Sequence, residues 1–390
     1  MVHEVACRHE AAEVVVAARK AGRSMYGPLT VSLKRGDSSP IFWYFCSNRG
    51  EEPMYIYRIA MLFIIIMLSS MMLCFSTAVK AEEFKPLSIT MEGYDYPYQV
   101  ELLPLVIEGQ DVRMGYMDVH PAGKDIGRAV LLLHGKNFFG AYWKDTIGIL
   151  IRNGYRVIVP DQLGFGKSSK PNIHYSFHLL AANTKKLLDI LGIREVAVIG
   201  HSMGGMLATR FVLMYPEMVT HLILENPIGL EDYRSIVPYA FLEQLYQNEI
   251  TATEEGIRNY HKSYYVQWKP EYEEYVTVAV RMKASGEYPR FVMSSALTYQ
   301  MIYEQPVCHE FSNIKTKTLL VIGQSDRTVV GKSRVNKELL VSVGQYPELG
   351  KKTAKLIRGS SLLELPNVGH IPHFEAKERF HQEVLSFLSK

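Results

Sequence analysis

The sequence predicts an α/β fold, a mostly parallel sheet with helices on both faces. Three observations carry that expectation. Short runs such as AVLLLHG (129–135) and EVAVIG (195–200) are apolar almost throughout, as strands buried on both faces must be. Segments with apolar residues at helical spacing separate them, among them FHLLAANTKKLLDILGI (177–193). The runs stop at glycine-bearing or polar turns, where a strand gives way to its crossover. With 390 residues, 47% of them hydrophobic, the chain has ample material for a large core. A net charge of +3, with the signs scattered, gives no case for a nucleic acid or an acidic partner.

The N-terminal part reads differently. Residues 1–53 look unlike any leader and suggest an upstream extension, with translation truly starting at Met54 or Met61. Ile59 to Val79 contain no charge, Arg58 precedes them, and Val79 and Ala81 are the small residues that a signal peptidase needs before its cut. We therefore read 54–81 as a cleaved signal peptide and 82–390 as an exported domain, periplasmic or secreted and free of the membrane after cleavage. The alternative is an N-terminal membrane anchor, since 21 uncharged residues suffice to span a bilayer. Met72 and Leu73 are too bulky for a lipoprotein cut before Cys74. Cys7, Cys46 and Cys74 fall in the removed part, so Cys308 has no partner for a disulfide and no second cysteine for a zinc site. Nothing around Cys308 suggests an activated thiol.

The remaining elements follow in order. YQVELLPLVIEGQDVRMGYMDV (98–119) looks like antiparallel strands at one edge. Buried strands are expected at 129–135, 156–164, 195–200, 220–226, 317–326 and 361–370, and helices at 177–193, 206–215 and 378–389. Between Asn226 and Lys317 no buried strand is visible. Fourteen of the 75 residues 231–305 are aromatic, against 11% in the whole chain, so this stretch is read as a helical insertion over the sheet, a cap at about 228–310. Most of its aromatics are expected to build the insertion's own core, and a minority to line a pocket beneath it.

The chemistry gathers at Gly200-His201-Ser202-Met203-Gly204, a G-x-S-x-G between a strand and a helix. Glycines flank the serine because the turn is tight, and the following helix points its free N–H groups at the hydroxyl. A serine needs a base held by a third group. His370, after a late strand, is the first candidate for the base, and His373, at the start of the last helix, is the second. Asp326, at the end of the preceding strand, is favoured as the acid over Glu225, because the chain order Ser, Asp, His expects it there. His134, His201 and Asp161 are read as serving local structure. The N–H of Met203 and that of Lys136, with Asn137 as the alternate, are expected to receive an oxyanion. GFGKSS resembles the end of a P-loop, but Asp161 stands where its first glycine belongs. No dinucleotide fingerprint or metal-ligand cluster is visible, so no cofactor and no metal are expected.

LLLHGKNFFGAYW, DQLGFGKSS, GHSMGG, GQSDRTV and VGHIPHFE, in that order, resemble the α/β-hydrolase superfamily in its serine-nucleophile branch with a helical cap. The similarity covers about 98–390. It implies an eight-stranded sheet and a cap after the sixth strand. It also implies a triad of Ser202, Asp326 and His370, with an oxyanion hole at the backbones of Lys136 and Met203. Serine at 202 argues against the dehalogenase and epoxide-hydrolase branches, which place an aspartate there, and the elbow differs from that of the prolyl aminopeptidases. The expected function is hydrolysis of a carboxylic ester on a small, apolar or aromatic molecule. The alternatives are a carbon–carbon bond hydrolase of the meta-cleavage-product type and an acyltransferase. A non-catalytic binder on the same fold is disfavoured by the intact triad pattern.

Overall fold

The computed structural model describes residues 85–121 and 123–390, together with the backbone of four short strands. Those strands, Arg8–His9, Ala12–Ala18, Leu29–Lys34 and Ile41–Tyr44, pair antiparallel in chain order as a unit of their own. The signal-like segment at 54–81 and the rest of the 1–53 extension lie outside the described residues. Among the described helices none is long and apolar enough to cross a membrane.

The main unit opens with a hairpin, β1 (Glu101–Ile107) and β2 (Gln110–Val119). There follow β3 (Arg128–Leu133), α1 (Lys144–Arg152), β4 (Tyr155–Pro160), α2 (Phe177–Ile190), β5 (Val196–His201), α3 (Met203–Met214) and β6 (Val219–Glu225). The insertion is helical, with α4 (Leu242–Ile250), α5 (Glu254–Lys262), α6 (Glu273–Lys283) and α7 (Tyr288–Glu304). The chain closes with β7 (Lys317–Gly323), α8 (Tyr346–Leu356), β8 (Ser361–Leu365), the short α9 (Pro372–Glu375) and α10 (Lys377–Leu388). The sheet has eight strands in the order β8-β7-β6-β5-β3-β4-β2-β1. β1 and β2 pair antiparallel, β2 pairs antiparallel with β4, and all other neighbours are parallel.

Alternation along the strands makes two cores. Leu131, Leu133, Val196, Val198, Leu320 and Ile322 face α2, α3 and α8, against Leu180, Leu207 and Phe211. Their neighbours Val130, Leu132, Ala197, Ile199, Leu319 and Val321 face α1 and α10, against Ile147, Phe380 and Val384. Each such side chain buried contributes about 1.5–3 kcal/mol. That is why these strands read as apolar on both faces rather than alternating.

The insertion packs differently from its sequence-based expectation. Tyr264, Tyr265 and Tyr272 join the core on the α1/α10 face, and Tyr233 joins the opposite one with Tyr299 and Tyr303 against it. The insertion's own cluster is only Ala240, Leu245 and Ala296, with Leu242, Tyr246 and Tyr299 beside them. Its short helices cannot enclose a core of their own, so they bury their rings on the body of the protein. Expected boundaries shift where turns intervene. The helix expected from 206 starts at Met203. The strands expected to run to 326 and 370 stop at Gly323 and Leu365, leaving loops that carry Asp326 and His370. Helices α1 and α8 were not foreseen.

Candidate active site

The strand order explains why distant residues converge. β3, β5, β6, β7 and β8 are successive neighbours, and the loop after each leaves the same carboxyl edge of the sheet. Those loops carry Lys136, Ser202, Asn226, Asp326 and His370 in turn.

Ser202 sits at φ 56°, ψ −119°, a conformation that a non-glycine residue adopts at a cost of about 1–3 kcal/mol. Close packing holds it there. A Cβ on Gly204 would lie 2.1 Å from the Leu133 carbonyl oxygen, and one on Gly200 would lie 2.3 Å from that of Gly204. Only glycine lets α3 rest against β3 and β5 at this turn. The Ser202 N–H donates to the Glu225 carbonyl at 3.2 Å, tying the elbow to β6.

Ser202 Oγ lies 2.9 Å from His370 Nε2, and His370 Nδ1 lies 2.6 Å from Asp326 Oδ2. All three residues are buried. The carboxylate accepts, so Nδ1 carries the proton and Nε2 is free to accept from the serine. Burial alone would raise the Asp326 carboxyl. The imidazole of His370 and hydrogen bonds from His370, Thr328 and Asn226 outweigh it, and the group ends below the usual carboxylate range.

Residues that sequence reasoning did not single out hold this chain in place. Asn226 donates from Nδ2 to Asp326 Oδ2 at 2.7 Å and accepts the Gly323 N–H at 2.8 Å. Its φ of 35° is one that asparagine tolerates, and an Asn directly after a buried strand was the available signal. The His370 N–H donates to the Tyr264 carbonyl at 2.7 Å, and the Tyr264 ring stacks on the imidazole at 5.0 Å. A relay then links three loops. His201 Nε2 donates to the His370 carbonyl at 2.8 Å, and its Nδ1 accepts from the Tyr142 hydroxyl at 3.1 Å. The Tyr142 oxygen in turn accepts the Gly135 N–H at 3.1 Å. Burial pushes the His201 imidazole down to about 3, against the pull of Glu225, so it works neutral.

The turn after β3 abuts Ser202, since a Cβ on Gly135 would lie 3.0 Å from Ser202 Cβ. Met203 is the first residue of α3, where helical N–H groups have no partner in the helix. Among the described residues neither the Lys136 nor the Met203 N–H donates to a protein acceptor. The Asn137 N–H, the alternate, likewise donates to no protein acceptor among the described residues, while its side-chain amide donates to the Tyr264 hydroxyl at 3.0 Å.

The other sequence candidates take structural places. Glu225 does not reach His370. Its Oε1 accepts from the N–H and Nδ1 of His373, at 2.7 and 2.8 Å, and its Oε2 has no partner among the described residues. Burial pushes this carboxyl up to about 7 and His373 down to about 3. His134 Nε2 accepts the Gln162 N–H at 3.0 Å. Asp161 accepts from Tyr96 Oη and the N–H groups of Gly140 and Lys167 at 2.6–2.7 Å. The P-loop-like turn thus folds around its own carboxylate, and a Cβ on Gly166 would lie 2.2 Å from it. Cys308 is half-buried, and burial raises its thiol. No group of three or more His, Cys, Asp or Glu among the described residues could hold a metal ion.

A strand–serine–helix elbow at the carboxyl edge of an eight-stranded sheet, with a histidine and an aspartate from later loops, defines a class of protein. The family model for the alpha/beta hydrolase fold matches residues 128–377. The chain belongs to the α/β-hydrolase family. It resembles the crystal structure of a probable hydrolytic enzyme from Pseudomonas aeruginosa PAO1, with 44% identity and a TM-score of 0.76 over 78% of this chain and 98% of the other. A 2-hydroxy-6-oxononadienedioate/2-hydroxy-6-oxononatrienedioate hydrolase from Comamonas testosteroni is 27% identical over 67% of this chain and 88% of its own length. An uncharacterised protein of Mycobacterium tuberculosis is 37% identical over 111 residues, 28% of this chain and about a third (32%) of the relative.

Proposed function

We propose that the protein is a serine hydrolase acting on carboxylic esters through an acyl-enzyme. The observation that carries this reading is the unbroken hydrogen-bonded chain Ser202–His370–Asp326 beside two unengaged amides. Ser202 Oγ attacks the ester carbonyl while His370 Nε2 takes its proton. Asp326 keeps the imidazole oriented and stabilises its charged form. The Lys136 and Met203 amides stabilise the oxyanion, each by about 3 kcal/mol. His370 then protonates the departing alcohol. Water, deprotonated by the same imidazole, attacks the acyl-enzyme and releases the acid. Another acceptor in place of water would make the same steps an acyl transfer. The aromatic surroundings of His370, Tyr264 first among them, favour a small substrate with an apolar or aromatic part.

A carbon–carbon bond hydrolase is the second reading. It is favoured by the similarity along 88% of the Comamonas testosteroni hydrolase named for a dienedioate. Assaying the purified chain and Ser202→Ala on short-chain nitrophenyl esters and on a dienoate ring-fission product separates the two. The ester reading expects serine-dependent turnover of the esters. Turnover of the ring-fission product alone would replace it. Export through a signal peptide at 54–81 is the other part of the proposal. It expects Glu82 as the N-terminal residue of the mature chain when the exported protein is sequenced, and an N-terminus upstream of 59 in a membrane fraction would contradict it.

A further inference from the structure

Lys136 carries a charge that the proposed mechanism does not use. Its main-chain N–H is assigned to the oxyanion, while its side chain crosses from the same turn to the insertion. There Nζ donates to the Ser295 hydroxyl at 2.7 Å and the Ser295 carbonyl at 3.2 Å, on α7. Ser295 is itself buried. Both acceptors are neutral. Among the described residues no carboxylate lies within 4.0 Å of the ammonium. Burial lowers its pKa, and Glu249 on α4, beyond ion-pair distance, is the acid that opposes this.

Lys170 Nζ is fully buried and bonded to the Gly166 and Ser168 carbonyls, with Asp161, likewise beyond ion-pair distance, the first acid to oppose its burial, whereas Lys136 is part-buried at the insertion. A part-buried cation bonded to neutral acceptors gains by pairing with a complementary anion. At Lys136 the gap is of negative sign. It lies on the turn that abuts Ser202, under the insertion, one residue's reach from the amide assigned to the substrate oxygen.

We propose that Lys136 anchors a carboxylate of the substrate, so that the preferred ester carries an acid group at the far end of an otherwise apolar acyl chain. The acyl half is specified because its carbonyl oxygen meets the Lys136 N–H, whereas the leaving group faces His370, which must protonate it. On binding, the substrate carboxylate takes over the ammonium from Ser295. This inference rests on the ester-hydrolase reading for its kinetics but not for its binding.

The test compares wild type, Lys136→Met and Lys136→Arg on two esters of matched length, 4-nitrophenyl hexanoate and the mono-4-nitrophenyl ester of adipic acid. The quantity read is the ratio of kcat/KM, adipate ester over hexanoate ester. The ratio favours the acid in wild type, falls about tenfold or more in Lys136→Met, and largely recovers in Lys136→Arg. A role as a mere strut between turn and α7 would lower both esters in proportion and leave the ratio unmoved, which overturns the proposal, as does a wild-type preference for the hexanoate. A second arm needs no catalysis. Calorimetry of free adipate with Ser202→Ala protein expects binding about tenfold tighter than after a further Lys136→Met change, and equal binding overturns the assignment. If neither ester is turned over, the ester reading fails while the calorimetric arm still decides the lysine.

Discussion

His370 is held by more than its hydrogen bonds to Ser202 and Asp326. Its N–H, its carbonyl and its ring face are each engaged, by Tyr264, by His201 and by the stacked Tyr264 ring. Removing the hydroxyl in Tyr142→Phe strips partners from His201 Nδ1 and the Gly135 N–H together. We expect a loss of about 1–3 kcal/mol in stability. We also expect kcat to drop by roughly tenfold with KM little changed, since the relay sets geometry and not substrate contact. A rise in KM at constant kcat would contradict that. Asp326→Asn should preserve the fold and lower kcat by roughly 10⁴-fold, because the amide disfavours the tautomer that leaves Nε2 free. Glu225 gives a pH signature. Its pKa rises on folding from 4.5 to about 7, so the folded state holds this proton more tightly. Its contribution is full below the unfolded value and is lost as pH rises through the folded one, so stability falls between about 4.5 and 7 by roughly 3 kcal/mol. Melting curves of wild type against Glu225→Gln should therefore diverge between about pH 4.5 and pH 7, and parallel curves would refute the buried, proton-holding carboxyl. Ser202, Asp326 and His370 were legible because each ends a strand-and-turn pattern. Asn226, Tyr142 and Tyr264 act through space on residues far along the chain, and a single sequence does not display such contacts.

Among the elements, the β5–α3 turn has the least room for change. A methyl at Gly204 would overlap the Leu133 carbonyl, so Gly204→Ala must push α3 off β3 or bend the strand. We expect a destabilisation of about 3 kcal/mol or more, read as a lowered denaturant midpoint, together with loss of activity. A variant with wild-type midpoint and turnover would show that the elbow has slack. The buried strands were legible from composition, because both faces of this sheet are covered and nothing but apolar residues fits. Strand ends were not, since the same apolar character runs on into loops such as Val368 and Ile371, which are themselves buried. Helix α1 begins under Trp143 in a glycine- and aromatic-rich turn, and α8 starts at Tyr346–Pro347, so neither carries a side-chain N-cap bond to mark its start. The insertion's aromatic density was visible, but the body they would bury against was not, and their destination was misjudged for that reason.

At the scale of the whole molecule, the sheet order turns sequence separation into proximity. Ser202 and His370 stand 168 positions apart, yet their strands β5 and β8 are separated only by β6 and β7. The fold thus accounts for the meeting of Ser202, Asp326 and His370, and the chain belongs to the α/β-hydrolase family. At the other wall the insertion lays Tyr264 on His370 and Ser295 on Lys136, and the proposed substrate preference rests on that wall. The central claim, that Ser202 is the nucleophile, is tested most directly by covalent labelling with a fluorophosphonate probe followed by peptide mass mapping. A single adduct on the peptide containing Ser202, absent from Ser202→Ala, is the expected result. An adduct at another residue, or none on an otherwise folded protein that still cleaves esters, would contradict it.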